Sequence, residues 1–259
     1  METAPTPPIR VGRIPRREHA DGDWRIIDIA PDFKLEDLWA LPATGSPADF
    51  ARVLDVMNAI DITDASLPTR FVWEVRDLLG KWFGLGRISA GPETTALPIP
   101  SSTSTTLADR LPPDLVGTVD PGLVPPDAPF TALYQTDREY AAELSNRTVH
   151  SIMHLAWAQV GNDTYQAQMA VYVKPRGVFG RAYMAFIKPF RYALVYPDLM
   201  RLIDRAWRRQ TEYSDEGEVV RRHAISAAAC SPTGPYVVDQ LSVHSAGDRG
   251  TTRDTGART

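Results

Sequence analysis

Cysteine is nearly absent from this chain. Among 259 residues only Cys230 occurs, which excludes an internal disulfide framework and any multi-cysteine metal site. A reducing compartment suits that composition. Long apolar runs are missing as well. The N-terminal METAPTPPIRVGRIPRREHADGDW carries arginines with no apolar stretch of signal-peptide length behind them. Arg16 and Arg17 lead into EHADGDW, which is not the continuation of a twin-arginine export signal. Nor is there a basic excess. The 28 Lys+Arg against 32 Asp+Glu give a net charge of −4 and a pI near 5.8, which argues against nucleic acid as the main partner. A soluble, cytoplasmic protein is expected, with enough chain to bury a sizeable core.

Catalytic motifs are also scarce. No G-x-S-x-G occurs, and Cys230 has no obvious base nearby. GLGRISAG follows a helical pattern rather than a strand, so it is not a dinucleotide loop. His150 and His154 have a spacing that suits zinc on a helix, but their segment alternates like a strand. A strand sets them about 13 Å apart at ~3.3 Å per residue, too far for one ion with Zn–N bonds of about 2.0–2.1 Å. They are expected on the outer or interface side, opposite Val149, Met153, Leu155 and Trp157. Asp137, Glu139 and Glu143 alternate on one strand face, as solvated carboxylates often do, with an acid/base pair as the sharper alternative. No metal and no cofactor is expected.

What is present is an aromatic stretch, YMAFIKPFRYALVYPDLM (183–200). It is not a membrane span. Lys188 and Arg191 would lie near the bilayer centre at about 2.5–3.5 kcal/mol each, and Pro189 would break a backbone hydrogen bond. Two alternatives stay open. Tyr183, Phe186, Phe190, Tyr192 and Tyr196 either pack as core or line a cavity, facing Met153, Trp157, Tyr165 and Met169 from the sheet. Charge is segregated too: residues 170–210 hold nine Lys/Arg against two acids, and 21–64 hold ten acids against three Lys/Arg. The two regions are expected to pair across the fold; Lys188 and Arg191 are alternatively placed to meet a ligand's anionic group.

Along the chain, residues 1–20 read as a Pro/Arg-rich disordered arm and DWRIIDIA (23–30) as a first strand. SPADFARVLDVMNAI (46–60) has helix-start chemistry in Ser46, Pro47 and Asp49, followed by an apolar stripe. TRFVWEVRDLLGKWFGLG (69–86) repeats that pattern. Residues 87–129, with nine prolines between Pro92 and Pro129, form a long loop in which LVGTV (115–119) offers one more strand. An antiparallel sheet follows over 130–175, with a turn at 161–163. Closing helices are expected at about 178–188 and from Pro197, and residues 211–259 as a mostly disordered tail. The fold class is α+β, one domain over 21–210.

VRDLLGKWFGL (75–85), ELSNRTVHSIMHLAW (143–157) and VYVKPRGVFGRAYMAFIKPFRYALVYPDLMR (171–201) resemble a bacterial family, domain of unknown function 2867. That family is grouped with the SRPBCC superfamily of START/Bet v 1-like helix-grip proteins. The resemblance implies a curved antiparallel sheet gripping C-terminal helices around an apolar cavity, with two helices after the first strand. It implies binding of a small hydrophobic or amphipathic ligand. Alternatives are a cyclase- or dehydratase-like enzyme and an interaction module, docking to a reductase-type partner or forming a homodimer.

Overall fold

The computed structural model describes residues 9–60, 97–100, 102, 104–123 and 130–229, with side chains as far as 212. The expected helix at 69–86 lies outside the described residues. The chain divides into two units, Met1–Ser214 and Asp215–Thr259. The first holds one six-stranded, wholly antiparallel sheet in the order β1-β2-β6-β5-β4-β3. Its strands are β1 (Gly12–Arg13), β2 (Lys34–Gly45), β3 (Thr131–Gln135), β4 (Glu139–Ser145), β5 (Val149–Gln159) and β6 (Tyr165–Pro175).

Both faces of the sheet are covered. On one, Leu41, Leu155, Trp157, Ala167 and Met169 pack against Phe50 and Val53 of α3 (Phe50–Ala59) and against Tyr196, Met200, Ile203 and Trp207 of the last helix. On the other, Leu38, Ile152, Ala156, Ala170 and Tyr172 pack against Ile14, Trp24, Ile26 and Phe33 of the N-terminal segment and Ile99, Leu107 and Leu115 of the Pro-rich segment. The period-2 alternation of β5 and β6 therefore feeds two cores.

Local chemistry accounts for several elements. Before α3, Ser46 and Asp49 form a capping box with Pro47 just inside, and the Ser46 N–H donates to Asp49 Oδ2 at 2.7 Å. Pro42 falls where the β2–β6 register shifts, between Ala40 and Thr44, because a proline cannot donate to the ladder. The helix α4 (Gly177–Phe190) runs through Pro189 into a π-helical turn, Arg191–Val195, and then α5 (Tyr196–Ala229). A missing N–H at Pro189 followed by an inserted wide turn keeps the chain helical where a break was expected. Only Gly180 of α4 is buried. A Cβ there would stand 2.2 Å from the Thr148 carbonyl oxygen, so the helix touches the β4–β5 turn through bare backbone.

The structure corrects other expectations. Residues 12–20, expected as an arm, carry β1 and α1 (Arg17–Ala20) and bury Ile14 and His19. DWRIIDIA contains a short helix, α2 (Arg25–Ile29), rather than a strand: Ile26 and Ile29 turn inward and Ile27 is exposed, a three-residue period. LVGTV is no strand, since Leu115 ends a 3-10 turn and Gly117 has φ 74°. Helix continues beyond 211 to Ala229, where a tail was expected.

Candidate functional site

The β4–β5 hairpin sets four polar side chains inside the protein. Asn146 makes its turn, its side-chain oxygen accepting the Thr148 and Val149 N–H groups at 2.8 and 2.9 Å. The resulting register opposes Glu143 to Ile152 and Glu139 to Ala156. Each glutamate then lies diagonal to a histidine two residues back along β5, on the same face. His150 Nε2 meets Glu143 Oε2 at 2.5 Å, and His154 Nε2 meets Glu139 Oε2 at 3.0 Å. All four residues are buried, both histidines at 0% exposure. This overturns the expected outer or interface placement of His150 and His154 and the solvated placement of Glu139 and Glu143. The face is covered by the N-terminal and Pro-rich segments, whose covering role the sequence did not reveal. Phe33 packs edge-on to His150, with ring centroids 5.2 Å apart.

Glu139 is the hub. It accepts the Arg25 N–H at 3.0 Å and the Tyr134 hydroxyl at 3.0 Å besides His154. Burial pulls its carboxyl upward, but the hydrogen bond and charge of His154, with the Arg25 and Tyr134 bonds, outweigh it and hold the pKa below the ordinary range. Glu139 is therefore a carboxylate, an acceptor only, and the His154 Nε2–H is the donor. Burial lowers the His154 pKa, with Glu139 opposing. His19 of α1 lies edge-on to His154 at 5.2 Å and stacks on Trp24 at 5.9 Å. Burial and the neighbouring His154 lower its pKa to about 3, against weaker opposition from Gln168 and Glu139. His19 and His154 are thus held toward the neutral form and Glu139 toward the carboxylate.

Beside this layer an open cleft of about 580 Å³ lies between the N-terminal segment and the sheet. Ile14, Trp24, Ala40 and Ala158 supply apolar wall, and Gln166 and Gln168 of β6 supply polar floor. Gln166 is held in place, its amide nitrogen donating to the Arg10 and Leu41 carbonyls at 2.7 and 2.9 Å. Two lining side chains hold a buried atom without a hydrogen-bond partner, Trp24 Nε1 and Gln168 Oε1; both ring nitrogens of His19, which packs on Trp24 outside the lining, also lack one. Gln168 lies near enough to influence His19, but no well-aligned bond joins them. At the rim Arg10 pairs with Glu18 at 3.2 Å, and Arg138 sits over the Trp24 ring at 5.7 Å.

The residues expected to line a cavity separate into two groups. Met153, Trp157, Tyr165, Met169, Tyr192 and Tyr196 come together on the opposite face, among the side chains of α3 and α5. Phe186 and Phe190 of α4 are 58% and 40% exposed, and Tyr183 is half-buried. Lys188 and Arg191, expected either to pair within the fold or to meet a ligand's anionic group, face Glu36 and Asp37 of β2; Lys188 Nζ lies 3.6 Å from Glu36 Oε1. Asp37 is fully buried, accepts the Tyr196 hydroxyl at 2.6 Å, and bonds Tyr192 and Arg191 as well. Lys174 reaches Asp32 at 2.6 Å. Three ion pairs thus join the two charge-segregated regions, while Arg201 and Arg208 pair with Asp198 and Asp204 within their own helix.

Among the described residues no group of three or more His, Cys, Asp or Glu could hold a metal ion, and no helix is long and apolar enough to cross a membrane.

An antiparallel sheet with C-terminal helices on one face defines an α+β protein compatible with a helix-grip architecture. The family described as "Protein of unknown function (DUF2867)" matches residues 29–198, and the chain belongs to that family. No curated protein and no solved structure matches the chain.

Proposed function

We propose that this protein binds a small amphipathic molecule in the cleft between its N-terminal segment and the sheet. One observation carries this: two of the side chains that line the cleft, Trp24 and Gln168, each hold a buried polar atom without a hydrogen-bond partner. Unpaired buried donors and acceptors each cost about 1–3 kcal/mol, and folded proteins contain few of them. Here Trp24 Nε1 and Gln168 Oε1 belong to the lining of one cleft, and His19 packs against Trp24. The cleft's volume falls inside the range of roughly 300–1,000 Å³ usual for small-molecule sites. Its walls mix apolar side chains with a few fixed polar groups, which suits a ligand with an oily body and a polar end. Binding is favoured over acid/base catalysis by the state of the histidines. An imidazole with a pKa near 3 retains little capacity to take a proton at neutral pH.

A thermal-shift screen of small amphipathic molecules tests the proposal, run in parallel on the wild type and on Ala158→Trp, which fills the cleft. A ligand at a hundred times its Kd stabilises the folded state by about 2.7 kcal/mol. Compounds should raise the melting temperature of the wild type and leave the blocked variant unmoved. A screen in which every active compound stabilises both proteins equally would remove the cleft as the site.

A further inference from the structure

We propose that the cleft selects a ligand whose polar head is uncharged and both donates and accepts hydrogen bonds, such as a primary amide or an alcohol. This rests on the cleft being the binding site. The groups beneath it have defined roles. The Trp24 indole N–H only donates, and the Gln168 amide oxygen only accepts. Their complement is a head that carries a donor and an acceptor together.

Charged heads fit badly. A carboxylate offers acceptors alone and would oppose the Gln168 oxygen. It would also meet Glu18, Asp21 and Asp23 in the lining, where only Arg10 and Arg138 carry the opposite charge. An ammonium offers donors alone, leaves the indole N–H unanswered, and loses its hydration on entry. Gly22 marks the position of the donor. A Cβ at residue 22 would stand 2.1 Å from Trp24 Nε1, so the bare backbone is what allows the indole N–H to lie against the cleft wall. The covering segment is lightly tied: β1 pairs with β2 over two residues, and α1 has four residues and no side-chain cap. Trp24 Nε1 and Gln168 Oε1 are themselves buried, so residues 17–22 must shift when the head group enters.

The test compares octanamide, 1-octanol, octanoate and octylammonium by titration calorimetry on the full chain. Wild type, Gln168→Met and Ala158→Trp are used, with circular dichroism confirming that each folds. If Ala158→Trp does not fold, Val160→Trp at the same cleft serves as the block. The amide and the alcohol are expected to bind the wild type about tenfold or more tightly than either ion. Gln168→Met keeps the side chain's length and removes the acceptor, and should weaken octanamide by about tenfold. The blocked variant should bind none of the four. Suppose the block abolishes binding, yet an ion binds as well as the amide or Gln168→Met leaves the ranking unchanged. The head-group inference then fails while the cleft stands. Binding that survives the block, or no binding of any probe to the wild type, overturns the cleft itself.

Discussion

Acid should weaken this protein well before its carboxylates begin to protonate, and His19 is the residue that tests why. Its pKa is about 3 in the folded chain against 6.5 for an ordinary histidine. Between those values the unfolded chain binds a proton at this position and the folded chain does not, so stability rises with pH across the window and is lost as pH falls. From about pH 7 to about pH 5 the loss from this one group integrates to about 2 kcal/mol, approaching about 1.4 kcal/mol per pH unit at the acid end. His154, also lowered by burial, adds in the same direction. Glu139, held below the ordinary carboxyl range, adds only at lower pH, where the unfolded carboxyl starts to protonate. The upper part of the acid limb is therefore a histidine signal. Urea denaturation followed by circular dichroism across that range measures it in the wild type and in His19→Phe, which keeps a ring beside Trp24 and cannot titrate. The variant's stability should fall by about 2 kcal/mol less over the same interval. Identical pH slopes in the two proteins, with the variant folded at neutral pH, would refute the assignment of a buried neutral His19.

Asp37→Ala should lower stability by about 3–5 kcal/mol in urea titrations, because it strands the Arg191 guanidinium and two tyrosine hydroxyls in a buried place. Asp37→Asn, which keeps two acceptor lone pairs, should lose less. Gly180→Ala should cost about 1–3 kcal/mol through the clash with the Thr148 carbonyl, read as a lower melting temperature with secondary structure unchanged.

Some of this molecule can be read from its sequence and some cannot. The helix at 50–59 was legible because Ser46, Pro47 and Asp49 state its start chemically, and the alternation of β6 was legible because its two faces differ in polarity. β2 was missed: Glu36, Asp37 and Pro42 interrupt its apolar pattern, and only the tertiary partners of Asp37 and the register shift at Pro42 explain them. The first strand was misjudged because Ile26, Ile27 and Ile29 suit either period, and a five-residue helix is too short to show its own. The histidine layer was partly visible. Glu139 and Glu143 have the same four-residue spacing as His150 and His154, and Asn146 is a turn residue midway between them. Folding the chain at Asn146 places the pairs diagonally. What the sequence could not supply was the cover, since the Pro-rich segment and residues 9–33 lack any periodicity that marks them as lid-forming core.

The two faces of the sheet treat buried charge differently, and that difference separates scaffold from site. On the helix face Asp37 is held by the Arg191 guanidinium and two tyrosine hydroxyls. On the other face Glu143 and Glu139 are held by histidines, and apolar side chains of similar volume would pack there without desolvation cost. Buried polar pairs replaced as a unit by apolar residues are often neutral or stabilising by about 1–4 kcal/mol, whereas removal of one partner is destabilising. Glu143→Leu with His150→Phe should therefore leave stability equal or higher, and Glu143→Leu alone should lower it by leaving His150 Nε2 without its hydrogen-bond partner. A similar stability loss in the double and the single variant would mean that the polar pair itself holds the hairpin together. A stable double variant would mean that apolar packing suffices at this end of the hairpin.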